Sequence, residues 1–478
     1  MKQTLTQFLL KHKDKNPVSF HMPGHKGSAI YREHGYEEFL DNIMDCDITE
    51  IPGADNLYQT EGVLKDTMER YRQLYGSKES YLLINGSSGG LIAAILASVP
   101  KGGKLVMARN CHKSIFNALS LGDVTPVYAY PETIEEYGIL GAVSPEEVAR
   151  CLDENPDAAA VILPSPNYYG ICSDVSAIAE EVHARGKILI IDQAHGAHLA
   201  FFAKHGQQGF PAAAEVSGAD LVINSIHKTL ASFTQTALLN VCSDRVDKYD
   251  LEDRLQAIES SSPSYPMMAT LDLNADLMEH YGEELMKDWA ESLHWFYENA
   301  EKEVPGLRIM RHPMLDFTKL NLDMSAYGLN GNELEDLLME EDIFIELVTG
   351  NILMCMTGIG NKRCDFEKLL NALKKMGGID QSLDLIATQV LEPICRLKTE
   401  SLGNKNPRLH SDEVLIALCV SALTNPIAAV AQAQLPKLRG CDAHFTVVLS
   451  DVDEKLYKRL GIRVSYEAKY ERKRLYFK

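Results

Sequence analysis

Four polar clusters stand at the ends of apolar runs, and their residue types limit the chemistry open to this chain. Lys228 follows the run ADLVINS and sits among Ile226, Leu230 and Phe233. An amine in such surroundings is desolvated, which lowers its pKa and makes it nucleophilic, whereas a loop lysine is otherwise a solvated surface group. Asp192 closes the apolar run KILIID and is followed by QAHGAH, so that His195 and His198 lie close by. A carboxylate there is either a helix cap or a functional acid. GSSGG at 86–90 follows YLLIN, and its N–H groups and two hydroxyls at a helix start suit an anion such as phosphate. Taken alone, most such stretches are only turns. His112 opens a helix after KLVMA, where an imidazole can cap the helix or stack on an aromatic ligand.

These residues need a scaffold, and the hydrophobic pattern supplies one. Short apolar runs at 81–85, 104–108, 158–164, 187–192, 219–225 and 236–241 read as strands. Helical patterns at 91–99, 112–119, 144–152 and 174–185 separate them. Ser144, Pro145 and Glu147 form a capping-box pattern, and Asp174 and Gly186 bracket the last of these helices. Such alternation predicts an α/β fold with a mainly parallel sheet covered on both faces, whose ligands lie beyond the carboxyl ends of the strands. After about residue 260 the texture changes to α+β, with a long helical stretch over 270–304, strands at 307–311, 317–323, 343–347 and 351–357, and helices at 332–341 and 365–376. The expected organisation is an N-terminal arm (1–60), a large domain (61–265), a smaller α+β domain (266–378) and a C-terminal segment (379–478). In the arm, Ile48, Ile51 and Leu57 are the expected apolar anchors, and GGIDQS (377–382) reads as a linker. The basic run with Lys469, Arg472, Lys473, Arg474 and Lys478 reads as a solvated tail.

A phosphate cradle, a strand-end carboxylate and a desolvated lysine are together the parts that pyridoxal phosphate needs. The lysine bonds its aldehyde, the carboxylate keeps the pyridine nitrogen protonated, and the Ser/Gly loop takes the phosphate.

The combination resembles the Orn/Lys/Arg decarboxylase family, group III pyridoxal-phosphate decarboxylases with the type I (aspartate-aminotransferase) fold. The resemblance rests on FHMPGHKG (20–27), DITEIPGADNL (47–57), NGSSGG (85–90), ARNCHKS (108–114), PSPNYYGICSDV (164–175), DQAHGAH (192–198) and SIHKTL (225–230), and runs to about residue 376. It implies Lys228 as the lysine joined to the cofactor, Asp192 as partner of the pyridine nitrogen, and His112 stacked on the ring. It implies Ser87, Ser88 and Gly89 around the phosphate with Ser225 and His227, and His195 beside the ring or its O3′. An acidic residue that receives the substrate's distal cation corresponds to Glu346. The implied activity is decarboxylation of lysine, ornithine or arginine to a diamine or polyamine precursor, in a cytoplasmic homodimer or larger assembly. The chain departs from the family pattern at Gln193, where Glu is usual, and at Asn167, where Thr is usual. Residues 383–478 lack the PPGIP-like signature.

Composition narrows the partners. The 478 residues carry 47 Lys and Arg against 67 Asp and Glu, a formal charge of −20. So acidic a chain lacks the cationic surface that nucleic acid or an anionic membrane requires. No apolar run reaches the roughly 18 residues of a membrane helix, and no signal peptide is expected at the N-terminus. The ten cysteines are scattered without a CxxC pair and read as small apolar residues, not as metal ligands or disulfides.

Three other readings compete. An aminotransferase or β-eliminating lyase of the same fold would clamp the substrate carboxylate, with Arg363 as the candidate. A cofactor-binding but inactive regulatory homologue is motivated by the unusual C-terminus. A metal hydrolase would use Asp192, His195 and His198 but leaves Lys228 unexplained, and no metal ligand is assigned.

Overall fold

The computed structural model describes residues 3–386 and four short strands at Val414–Leu415, Phe445–Val447, Arg463–Tyr466 and Lys473–Tyr476. The chain divides into two compact units, residues 1–370 and 371–478.

The first unit is built on a seven-stranded sheet. In spatial order its strands are Glu79–Leu83, Ala237–Val241, Leu221–Asn224, Ile188–Asp192, Ala158–Pro164, Lys104–Ala108 and Thr125–Ala129. All neighbours run parallel except Ala237–Val241, which is antiparallel to both of its partners. The central strands are apolar throughout because both faces are covered. Val106, Ile162, Ile190 and Val222 are fully buried. At roughly 1.5–3 kcal/mol per buried aliphatic side chain, this layer is the main source of stability for the sheet. Register places Asp192 beside Pro164 and Ile223, at the carboxyl end of three parallel strands.

A second sheet, antiparallel, orders Arg308–Ile309, Lys319–Asp323, Ile352–Met356 and Leu347–Thr349. The arm contributes Val18–Phe20, which pairs in parallel with Ile343–Ile345. The second unit holds a four-stranded sheet of the strands near 414, 445, 475 and 464. Among the described residues no helix is long and apolar enough to cross a membrane.

Several details differ from the sequence reading. GSSGG is the first turn of the helix Gly86–Ser98 and not a separate turn, since glycine and serine at a helix start leave N–H groups free. Ser144 caps its helix through Glu147 N–H (3.2 Å), but the reciprocal half of the box is missing. The Glu147 carboxylate instead accepts from Tyr130 N–H and from Arg150. The 270–304 stretch is two helices, Tyr265–His280 and Gly282–Glu303, broken at Tyr281. Of the arm's anchors only Leu57 is buried; Ile48 and Ile51 are exposed in the single chain. GGIDQS is helical and lies within the helix Arg363–Ile386. In the basic run, Lys473 and Arg474 fall in a strand; Lys469, Arg472 and Lys478 lie outside the described residues. Among the described residues Cys111, Cys151, Cys172 and Cys355 are buried, whereas Cys364 is exposed.

The arm is pressed against the site. Gly24 N–H donates to the His227 carbonyl at 2.7 Å, and the Gly24 carbonyl accepts from Gly360 N–H at 3.0 Å. A Cβ on Gly24 would lie 2.4 Å from the Thr229 carbonyl carbon, so backbone would have to move. Gly24→Ala is therefore expected to cost about 1–3 kcal/mol. A urea-unfolding midpoint equal to wild type would contradict this packing.

Candidate active site

Lys228 lies on the short helix Ile226–Thr229 that follows the strand Leu221–Asn224. Its Nζ is 3.0 Å from His195 Nε2. Burial lowers its pKa below the ordinary lysine value; Asp192 and Glu346 oppose this, and Lys319 adds to it. The same burial, with Lys228 and Lys319 nearby, drives His195 well below the ordinary histidine value, so the imidazole is neutral. The His195 ring packs against Tyr168 with centroids 4.6 Å apart.

Asp192 is 6% exposed and accepts a hydrogen bond from Ala194 N–H at 3.2 Å. Burial raises its pKa; Lys228, the Ala194 N–H and His112 act against that. His112 is the N-cap of the helix Lys113–Gly122, with Nδ1 accepting from Ser114 N–H. The capping role and a place near Asp192 coexist, because Asp192 and Lys228 both act on its titration.

Ser87, Ser88 and Gly89 open the helix Gly86–Ser98. Ser225 is fully buried, and its Oγ has no hydrogen-bond partner. His227 donates through Nδ1 to the Thr236 carbonyl at 2.8 Å, and burial lowers its pKa to about 4. Glu346 lies between two strands from the end of the chain's first unit, yet meets the arm: Met22 N–H donates to its Oε2 at 3.0 Å. The Tyr168 hydroxyl donates to its Oε1 at 2.8 Å. Lys228, Asp192, His112, His195 and Glu346 are thus electrostatic neighbours in one site. His198 is not part of that cluster. It faces Asp316 (3.1 Å) and Thr229 (3.1 Å), which leaves Asp192, His195 and His198 without a common ligand centre. Arg363 stacks over Trp295 at 4.5 Å.

Three residues, Glu259, Asp316 and Lys319, escape a reading of the sequence, and Lys26 of the FHMPGHKG motif shows its contacts only in the structure. Glu259 accepts from Ile84 and Asn85 N–H (3.0 and 2.9 Å), lies against Gly89, and is pushed by burial up to about 7. Lys26 donates to the Met356 carbonyl at 3.2 Å and is lowered by burial to about 7. Asp316 and Lys319 form a fully buried ion pair at 2.7 Å behind His195. The only signal for the pair is the spacing of Asp316 and Lys319 around a strand start; a buried charge needs such a partner.

The residues present fit pyridoxal phosphate. Two buried polar atoms, His195 Nδ1 and Ser225 Oγ, have no protein partner, which is the state of groups that await a ligand. A buried amine with an anionic neighbour and a helix N-terminus complete the set of donors.

The Bacillus subtilis protein YaaO, itself uncharacterised, is 34% identical over 376 residues, which is 76% of this chain and 75% of YaaO. The arginine decarboxylase of the same organism is 28% identical over 398 residues, 80% of each chain. The structure of Francisella novicida lysine decarboxylase LdcF superposes with a TM-score of 0.64 at 20% identity, over 81% of this chain and 61% of that one. This chain therefore spans about three fifths of the length of that enzyme, and the likeness establishes the type I pyridoxal-phosphate fold. A family model described as the C-terminal part of a domain of unknown function, DUF1846, matches residues 338–476. A second, described as the major domain of Orn/Lys/Arg decarboxylase, matches residues 3–320, so the chain belongs to the Orn/Lys/Arg decarboxylase family.

Proposed function

We propose that the protein is a pyridoxal-phosphate-dependent decarboxylase of a basic amino acid, lysine, ornithine or arginine. One observation carries the reading: a lysine amine, depressed by burial, lies 3.0 Å from a neutral histidine and has Asp192 as its foremost anionic neighbour. When bound, pyridoxal phosphate supplies an electron-accepting ring that takes up the electron pair left as CO₂ departs.

The chain's own groups supply the rest. Lys228 Nζ is the point of covalent attachment and, once freed by substrate, the acid that returns a proton to the α-carbon. Asp192 holds a proton on the ring nitrogen through a charge-assisted hydrogen bond. His112 would stack on the ring. His195 keeps Lys228 Nζ in place through Nε2, and its Nδ1 would hold the ring oxygen. The helix N-terminus at Ser87, Ser88 and Gly89, with Ser225 and His227, takes the phosphate. Glu346 receives the distal cation of the substrate, and the Tyr168 hydroxyl orients that carboxylate. A homodimer is the proposed minimum assembly, which would give the exposed arm residues Ile48 and Ile51 a partner.

The test is incubation of purified, cofactor-loaded protein with each basic amino acid, trapping CO₂ and identifying the amine. Formation of an amine and CO₂ from one of them is expected. A loaded protein that releases no CO₂ from any of the three is not this enzyme. Glu346→Gln should raise KM about 10- to 100-fold, corresponding to loss of a hydrogen bond to a charged group, while kcat changes much less. Steady-state kinetics with the preferred amino acid check this. An unchanged KM removes Glu346 from the substrate site.

A further inference from the structure

Behind the site lies a charged cluster that the decarboxylation scheme leaves unused. Asp316, Thr318 and Lys319 are fully buried, as is His198. Lys319 Nζ donates to Asp316 Oδ2 at 2.7 Å, to Thr318 Oγ1 at 3.1 Å and to the backbone carbonyl of His195. Asp316 Oδ2 lies 3.1 Å from His198 Nε2, and its Oδ1 accepts from the Thr318 N–H and hydroxyl. His198 Nδ1 lies 3.1 Å from the hydroxyl of Thr229, the residue after Lys228. The cluster therefore grips both sides of one contact. It holds His195 by its carbonyl, and it holds the Lys228 turn by Thr229.

A pair so completely removed from water is a poor source of stability. Two well-packed apolar side chains of the same volume would serve as well or better, whereas loss of one partner alone leaves a stranded charge. What such a pair does supply is fixed direction, because each proton and lone pair is already committed.

We propose that Lys319, anchored by Asp316 and His198, is the positioning residue that sets His195 against Lys228. This inference rests on the reading of Lys228 as the reactive amine. Lys319 also acts through its charge. The groups that bear on the Lys228 amine are Asp192, Glu346, Lys319, His195 and His112, and Lys319 is the fully buried one paired with Asp316. It favours the neutral, nucleophilic amine. Burial alone would raise Asp316, but Lys319 and His198 hold it below the ordinary carboxylate range, so the anchor stays ionised.

The experiment measures Lys228 directly. The full-length chain, stripped of cofactor, is labelled with acetic anhydride across a pH series, and acetylation of the Lys228 peptide is followed by mass spectrometry. Because Lys319→Met alone strands Asp316, the main variant is the double one, Asp316→Asn with Lys319→Met. Its labelling midpoint is expected to rise by at least about half a pH unit. In cofactor-loaded protein kcat should fall about 10- to 100-fold with little change in KM, as expected of a mispositioned group. Lys319→Arg should restore part of the loss. A folded double variant with the wild-type midpoint and kcat overturns the proposal. If the double variant does not fold, Thr229→Val, which cuts the His198 arm alone, decides: a several-fold loss of kcat supports the proposal, and an unchanged kcat overturns it. If Lys228 in the wild-type chain labels like a solvent lysine, the reading of Lys228 itself fails. A shifted midpoint in a protein that decarboxylates no basic amino acid keeps this inference and removes the substrate assignment.

Discussion

Lys228→Ala is expected to reduce CO₂ release from the preferred basic amino acid by at least about 10³-fold, since one nitrogen serves both attachment and proton return. The environment explains why no neighbour can take over. Lys228 Nζ is the amine that His195 Nε2 meets at 3.0 Å, and burial keeps it below the ordinary lysine value. Lys26, also depressed by burial, points instead at the carbonyls of His21 and Met356. Lys319 is committed to Asp316 and the His195 carbonyl. The substitution also removes the cation that most favours ionised Asp192, whose titration burial already raises. Without Lys228 the ionised form of Asp192 would be less favoured. The measurements are CO₂ release under cofactor excess and borohydride trapping followed by peptide mapping. Trapped cofactor should be found on the 228 peptide of wild type and be absent from the variant. A variant within tenfold of the wild-type rate would remove Lys228 from the chemistry.

The sheet was legible because its strands announce themselves. Runs such as AAAVILP and KILIID are apolar on both faces, which only a covered sheet accommodates, and their last residues mark the ligand edge. The mainly parallel direction was legible, but the one reversed strand was not. Ala237–Val241 is buried at every position like Leu221–Asn224 beside it, yet runs the other way, and a fully buried strand carries no pattern that tells the two directions apart. Contacts across long stretches of chain were equally hidden. Glu346 is fixed by the Met22 N–H from the arm and by Tyr168, and that follows from the pairing of Val18–Phe20 with Ile343–Ile345. The burial of Asp316, Lys319 and Glu259 runs against residue type altogether. Such charges are inside because partners from distant segments are there to meet them, and a sequence shows the charges but not the meeting. His198 illustrates the converse: its spacing from Asp192 and His195 also suits the competing metal reading, while its ring serves Asp316 and Thr229.

Asp192→Ala should lower kcat by about 10²- to 10³-fold, the scale on which loss of one preorganised electrostatic partner is felt, while Lys228 still traps cofactor. The two effects separate because the residues do different work. Lys228 makes the bond; Asp192 keeps the ring nitrogen protonated. Its carboxylate is enclosed, 6% exposed, with one backbone N–H at 3.2 Å and the cation of Lys228 in its field. Enclosure raises its pKa, so ionisation demands a higher pH than for a free aspartate, and activity should fall on the acid side as the carboxyl gains its proton. Asp192→Asn distinguishes charge from shape. The amide fills the same space and can still accept from the Ala194 N–H, but it carries no negative charge to hold a proton on a pyridine nitrogen. If charge is what matters, Asn should be nearly as slow as Ala and should lack the acid limb of the wild-type pH profile. If Asp192 only caps the turn at Ala194, Asn should restore activity to near the wild-type rate. That second outcome would leave the buried carboxylate a structural group and take the ring-nitrogen role away from it.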